Sequence, residues 1–277
     1  RQSGIVQAGE SGYWWRSFFP YGERKLSDNG IGAGTPHDIA PDGQEFIFMS
    51  LSGGTQPLIW NQEAQTLNGL PIDLAQWRYK KEQVFYPLRP FYPHWHPSGD
   101  KILFHDGTWV FLYDLTTKLG CEINMDSLSP TFPSIHDASW SPDGRYLLFK
   151  VALDPINVSI RGPHGLLLVL DTYTGNAIQY SLGNPVYGFS WAPDNQTVVI
   201  TRQTGERIGG FDATGTYLLN LRNGEYQQVS FGVALTIVHG KWSPDGTRMA
   251  FHCIATFPDG YEIGTYRICA SHVTINH

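Results

Sequence analysis

Charge is scarce in this 277-residue chain: only 16% of its residues are Asp, Glu, Lys or Arg. A disordered chain is built the other way round, rich in charge and poor in aromatics, whereas here aromatics reach 14%. The same scarcity excludes a coiled coil. Basic residues are the scarcer sign, with 19 Lys and Arg against 25 Asp and Glu and a formal net charge of -6. No basic stripe exists, Lys80-Lys81 being the densest point, so no nucleic-acid partner is expected. Long apolar runs are also missing. The longest aliphatic stretch, Leu166 to Leu170, falls far short of the ~18 residues of a membrane helix, and no membrane span is expected. Cysteine is too rare for a disulfide framework: Cys121, Cys253 and Cys269 include no Cys-x-x-Cys pair. That argues against a cysteine zinc site and leaves open one bridge, between Cys253 and Cys269.

Catalytic signatures are absent as well. There is no Gly-x-Ser-x-Gly elbow, no His-Glu-x-x-His, no P-loop and no Ser-x-Asp-x-Gly-x-x-Trp box. Gly30-Ile31-Gly32-Ala33-Gly34 has the look of a nucleotide loop but lacks the strand before it and the helix after it, so it reads as a connection. Asn157-Val158-Ser159 and Asn195-Gln196-Thr197 fit the glycosylation pattern. The chain begins at Arg1 rather than Met. Either a presequence has been removed or this is a piece of a longer chain; the reading preferred over a cytoplasmic one is a mature exported protein, periplasmic or extracellular.

What is plentiful is turn chemistry. The chain holds 30 glycines and 18 prolines, and one phrase recurs five times: Ile39-Ala40-Pro41-Asp42-Gly43, Trp95-His96-Pro97-Ser98-Gly99, Trp140-Ser141-Pro142-Asp143-Gly144, Trp191-Ala192-Pro193-Asp194-Asn195 and Trp242-Ser243-Pro244-Asp245-Gly246. The prolines are 56, 45, 51 and 51 residues apart, long enough for four strands and their turns. Proline presets φ, Asp accepts backbone hydrogen bonds, and Gly (or Asn195) takes the left-handed position. The Asp residues are therefore read as turn residues, not catalytic carboxylates. An apolar strand follows each turn: Glu45 to Met49, Lys101 to Phe104, Tyr146 to Val151, Thr197 to Thr201, Arg248 to Cys253. A second strand follows, often ending in Asp or Asn, and then an outer strand such as Ala177 to Leu182 or Tyr226 to Val229. Four antiparallel strands repeated in this way define the expected fold class: all-β, a β-propeller of four-stranded blades. The strand before each Trp is expected innermost, with the Trp wedged between blades.

The Trp-Ser-Pro-Asp-Gly phrase followed by an apolar strand resembles the PD40, or TolB-like (WD40-like), propeller repeat, from about residue 35 to the C-terminus. The resemblance implies a propeller over 35–277. Residues 1–34 form an N-terminal segment whose Gly12 to Phe19 is a candidate ring-closing strand. The repeat count predicts five full blades, with six possible if one is degenerate or incomplete. Related propellers act as protein-binding scaffolds, as the propeller part of prolyl oligopeptidases, and in oligogalacturonate lyases.

Propeller geometry places the Pro-Asp-Gly turns on one face. The opposite face collects long connections, here Gly69 to Pro93, Ala152 to Gly165, Gln203 to Gly215 and Ala255 to Glu262, and binding residues sit on such loops. His37, His94, His96, His136 and His239 are candidates for binding there, near the start of innermost strands at the channel mouth. Arg161 and Arg207 are candidates in the long loops. Of these, His37, His94, His136 and His239 are candidates for holding a divalent metal. Trp77, Tyr79, Phe85, Tyr86, Phe91 and Tyr92, with Lys80, Lys81 and Arg89, could stack on sugars or grip a peptide. Three readings follow from these residues. The first is a non-enzymatic scaffold that binds a protein partner through its long-loop face and channel mouth. The second is a metal-assisted carbohydrate-active enzyme, similar to oligogalacturonate lyases. The third is a structural propeller fragment of a larger assembly protein.

Overall fold

A computed structural model of the chain describes residues 4–9, 12–18, 21–25, 33–50, 56–74, 91–107, 109–125, 134–152, 165–208, 211–229, 238–243, 246–254 and 266–272. They fall into two units, Arg1–Met125 and Asp126–His277.

The first unit is three antiparallel meanders. One is β1 (Gly4–Gly9), β2 (Gly12–Phe18) and β3 (Tyr21–Lys25). Gly12–Phe18, the candidate ring-closing strand, is the centre of this sheet, with β1 and β3 on either side. The next is β4 (Ala33–Ile39), β5 (Glu45–Ser50), β6 (Pro57–Asn61) and β7 (Thr66–Gly69). The last is β8 (Tyr92–Trp95), β9 (Lys101–His105), β10 (Val110–Asp114) and β11 (Gly120–Ile123). The second unit repeats the pattern with β12 (Ser134–Trp140), β13 (Tyr146–Ala152), β14 (Leu166–Asp171) and β15 (Ala177–Ser181). There follow β16 (Val186–Trp191), β17 (Thr197–Ile208), β18 (Phe211–Asn220) and β19 (Tyr226–Val229), and then β20 (Val238–Trp242), β21 (Arg248–Ile254) and β22 (Tyr266–His272). The described strands thus make four four-stranded sheets and two three-stranded ones. These are the blades of a β-propeller: among the described residues four are full, where the repeat count predicts five, and the three-stranded ones are the N-terminal and the C-terminal sheets.

Each Pro-Asp-Gly phrase closes in the same way. Gly43 N–H donates to the Ala40 carbonyl at 2.8 Å, Gly99 to His96 at 2.9 Å, Gly144 to Ser141 at 2.8 Å and Gly246 to Ser243 at 2.9 Å. Asn195 does so to Ala192 at 3.3 Å, with φ +59°, beside +73° at Gly43 and +74° at Gly144. The aspartates are spent on backbone, as Asp42 accepts from Gln44 N–H, Asp143 from Arg145 N–H and Asp194 from Thr197 N–H. The turns between third and fourth strands form on Asn61, Asp114, Asp171 and Asn220, each accepting backbone N–H groups just downstream. They share the rim of the Pro-Asp-Gly turns, because Leu115, Thr172 and Leu221 N–H bond to the carbonyls of Asp100, Arg145 and Gln196.

First strands of successive blades lie beside one another, β4 by β8 in the first unit and β12, β16 and β20 in series in the second. They are therefore the inner strands. Between them sit the tryptophans. Trp95, 5% exposed, joins Ala40, Ile47 and Met49 of one blade to Ile102, Phe104 and Tyr113 of the next. Trp191, 6% exposed, joins Leu148, Leu167 and Val169 to Val198, Ile200 and Leu219. One connection differs from expectation. Gln203 to Gly215 is not an irregular loop but the extension of the β17–β18 hairpin, whose register resumes at Arg207↔Asp212 and Ile208↔Phe211 after a shift. Cross-strand pairing carries these polar residues past the point where the apolar pattern stops.

Candidate functional site

The inner strands break their register on the side away from the Pro-Asp-Gly turns. In β12 the pairing steps from Asp137↔Lys150 to Ile135↔Val151, which makes His136 the extra residue of a β-bulge. In β16 the same step, from Gly188↔Thr201 to Val186↔Arg202, sets Tyr187 in that place. In β4 it falls on His37, between Pro36 and Asp38, and in β20 on the His239-Gly240 pair, between Val238 and Lys241. A bulge bends its strand and re-aims a side chain, and bulges concentrate beside functional sites. Three of the five histidines singled out by sequence are therefore bulge positions.

The other two are not. His94 is in register with Leu103, one residue before the end of β8. Its Nε2 lies 3.1 Å from Nε2 of the buried His105, the rings 5° from parallel and their centroids 5.1 Å apart. One nitrogen must donate and the other accept, so this pair shares a single proton along that line. The ring of Tyr92 lies 5.4 Å from that of His105. His96 is on the opposite rim from the one expected, inside a turn, because β8 ends at Trp95. Its Nδ1 accepts the Ser98 N–H at 3.1 Å and meets the Ser98 hydroxyl, which also contacts Asp100.

His136 is exposed, while the side chains of His37, His239 and Arg207 lie outside the described residues, as does Arg161 altogether. Among the described residues no three His, Cys, Asp or Glu come together to hold a metal ion. Of the aromatic link, only Phe91 and Tyr92 are described: Phe91 is core, at 1% exposure, and Tyr92 is exposed. Asp38 and Asp137, the acids beside two of the histidines, turn back on their own strands, accepting the N–H of Ile39 and Ala138. Asp38 also accepts the Trp95 N–H of the next blade at 2.6 Å.

Lys150 belongs to no motif, although it stands alone as a charge in the run Leu147-Leu148-Phe149-Lys150-Val151. From β13 its Nζ crosses to the neighbouring blade and donates to the carbonyl of the bulge residue Tyr187 at 3.1 Å. Burial pushes its ammonium below the ordinary lysine value, and the Asp137 carboxylate pulls the other way. The bulges of β12 and β16 thus border a strip that bears His136, Asp137, Lys150 and Tyr187.

Four-stranded antiparallel sheets whose inner strands run side by side, with a Trp between neighbours, define the fold as a β-propeller. No family model matches it, and no curated protein is significantly similar in sequence. Solved structures agree on the fold. TolB from Acinetobacter baumannii is similar at 14% identity and TM-score 0.55, over 92% of this chain and 61% of that one. This chain therefore spans about three fifths of that protein's length. The β-propeller domain of the Trilobed protease from Pyrococcus furiosus is similar at 15% identity and TM-score 0.57, over 88% and 70%. The β-propeller domain of Cps50 (Swd1) from Myceliophteria thermophila is similar at 11% identity and TM-score 0.51, over 86% and 71%.

Proposed function

We propose that the chain is a binding scaffold that holds a protein partner against its inner strands, on the rim opposite the Pro-Asp-Gly turns, in a periplasmic or extracellular setting. The observation that carries this reading is the recurrence of bulges at His37, His136, Tyr187 and His239 on four inner strands. A bulge breaks the ladder and re-aims a side chain, and bulges are over-represented next to functional sites. The likeness to TolB supports both the scaffold role and the location. The test is site-specific photo-crosslinking in the producing cell. A crosslinker at Tyr187 or His136 is expected to capture a discrete protein adduct, and one at Tyr173 on the other rim is not. Equal capture from both rims, or none from the bulges, refutes the reading.

A further inference from the structure

Lys150 combines two facts that set it apart among the described residues. Its side chain is half-buried and its ammonium is drawn out of water, yet among the described residues it makes one hydrogen bond, to a neutral carbonyl, and no ion pair. Lysines withdrawn from solvent are as a rule paired with a carboxylate. Asp137 stands opposite Lys150 in the register, but its carboxylate is held by the Ala138 N–H at 3.0 Å and forms no ion pair with the amine. An ammonium carries three N–H donors, so two remain at the edge of the strip between the bulges of β12 and β16. On the facing strand, the exposed His136 is the bulge residue next to Asp137.

We propose that this strip, which bears Lys150 and the exposed His136, is a subsite for a single carboxylate of a peptide ligand. The proposal rests on the scaffold reading and specifies what the partner presents there: an Asp or Glu side chain, or a chain-terminal carboxylate. The chemistry selects that group. Asp137 acts on the ammonium only at a distance; a bound carboxylate supplies the direct ion pair and accepts the remaining donors in a charge-assisted bond. A dianion such as phosphate meets the nearby Asp137 with twice the repulsion. A neutral amide offers an acceptor without the charge.

The test uses the full chain labelled with 13C-lysine and 13C-histidine, the Lys150 signal being assigned by its loss in Lys150→Arg. The probes are two capped peptides, Ac-Gly-Glu-Gly-NH2 and Ac-Gly-Gln-Gly-NH2. The glutamate peptide is expected to shift the Lys150 signal saturably, with roughly tenfold weaker binding for the glutamine peptide, the worth of one charged hydrogen bond. In Lys150→Met, followed through the His136 ring signal, that preference is expected to vanish; Lys150→Gln serves if the methionine variant does not fold. Equal shifts from both peptides, no shift from either, or a preference that survives loss of the amine overturns the proposal. The outcomes separate it from the reading beneath it. Crosslinks from Tyr187 without glutamate preference remove the subsite and leave the scaffold. Glutamate preference without crosslinks leaves the subsite and removes the partner.

Discussion

Trp191→Ala tests the physical basis of the fold, because the tryptophan wedge is what couples one blade to the next. Trp191 is 6% exposed and shares one buried cluster with Leu148, Leu167 and Val169 of the preceding blade and Val198, Ile200 and Leu219 of its own. Its Nε1 donates to the Ser139 carbonyl of the preceding blade at 3.3 Å, and Tyr146 stacks on it with centroids 6.3 Å apart. Truncation to alanine uncovers roughly 150 Å2 of apolar surface, which at about 25 cal/mol/Å2 is ~4 kcal/mol. Ring-to-alanine changes in well-packed cores span roughly 3–5 kcal/mol, so the two routes agree. With a urea m-value of about 2 kcal/mol/M, the unfolding midpoint is expected to fall by ~2 M. Circular dichroism is the readout, since the chain's nine tryptophans blur fluorescence. Trp191→Phe, which keeps most of the apolar wedge and loses the indole bond, is expected to cost about 1–2 kcal/mol. Tyr173→Ala, at a ring 78% exposed on the turn rim, is the control and is expected to change stability by less than ~0.5 kcal/mol. A midpoint that moves no further in Trp191→Ala than in Tyr173→Ala refutes the wedge.

The turns yield a backbone prediction: Gly43, at φ +73° with open space for 4 Å around the point where a Cβ would stand, isolates conformational strain from crowding. Gly43→Ala is expected to cost about 1 kcal/mol and Gly43→Asn clearly less; equal thermal midpoints for the two variants would sink that account. Gly165 is the opposite case, since a Cβ there lies 2.1 Å from the Asn184 carbonyl oxygen and the Gly165 carbonyl accepts the Leu182 N–H at 2.8 Å. Gly165→Ala is expected to cost about 2–3 kcal/mol and to speed hydrogen exchange at Leu182, and unchanged exchange there argues against the close approach. On the turn rim, the Arg145 guanidinium 2.7 Å from Asp171, helped by the N–H groups of Tyr173 and Thr174, lowers that carboxyl from 3.8 to about 2. A depressed carboxyl stabilises the fold above its ordinary value, and the contribution drains away as pH falls from 3.8 towards about 2. Asp171→Asn is therefore expected to flatten the acid limb of the melting-temperature profile in that window, and an acid limb identical to that of the parent counts against the pairing.

The parts legible in sequence are those written in local chemistry. Proline, aspartate and a residue tolerant of positive φ fix each turn within five residues, so even Asn195 declares itself as a stand-in for glycine, with φ +59°. It does more than stand in: its side-chain oxygen accepts the Asp143 N–H of the preceding blade's turn at 2.9 Å. The tryptophan wedge was legible because a large ring before a tight turn has one place to go. Register was not. A bulge is a one-residue slip between two chains, and neither His136 nor Tyr187 differs in composition from a residue in the ladder. The same blindness put His96 on the wrong rim, because its neighbour Trp95, not the histidine, is the last residue of β8. It also made a loop of Gln203 to Gly215, where polar side chains on a paired hairpin look like polar side chains on an unpaired one. Lys150 left the one usable trace, a lone charge inside an apolar strand.

The two rims differ in how their polar groups are used, and that difference is what directs attention to one of them. Among the described residues of the turn rim, the turn-forming carboxylates and amides are committed to nearby backbone: Asp42, Asp143 and Asp194 in the first turns, Asn61, Asp114, Asp171 and Asn220 in the second. Such groups carry the fold and have little capacity left for a ligand. Along the inner strands the polar groups cross between blades, as Asp38 does to the Trp95 N–H and Lys150 does to the Tyr187 carbonyl. The carbonyl that Lys150 holds is one that a bulge displaces. An occupant that bonds Lys150 would therefore compete with, or reinforce, a contact between two blades, so binding there is expected to register as a change in inter-blade stability. A scaffold with uniform ladders would lack that coupling.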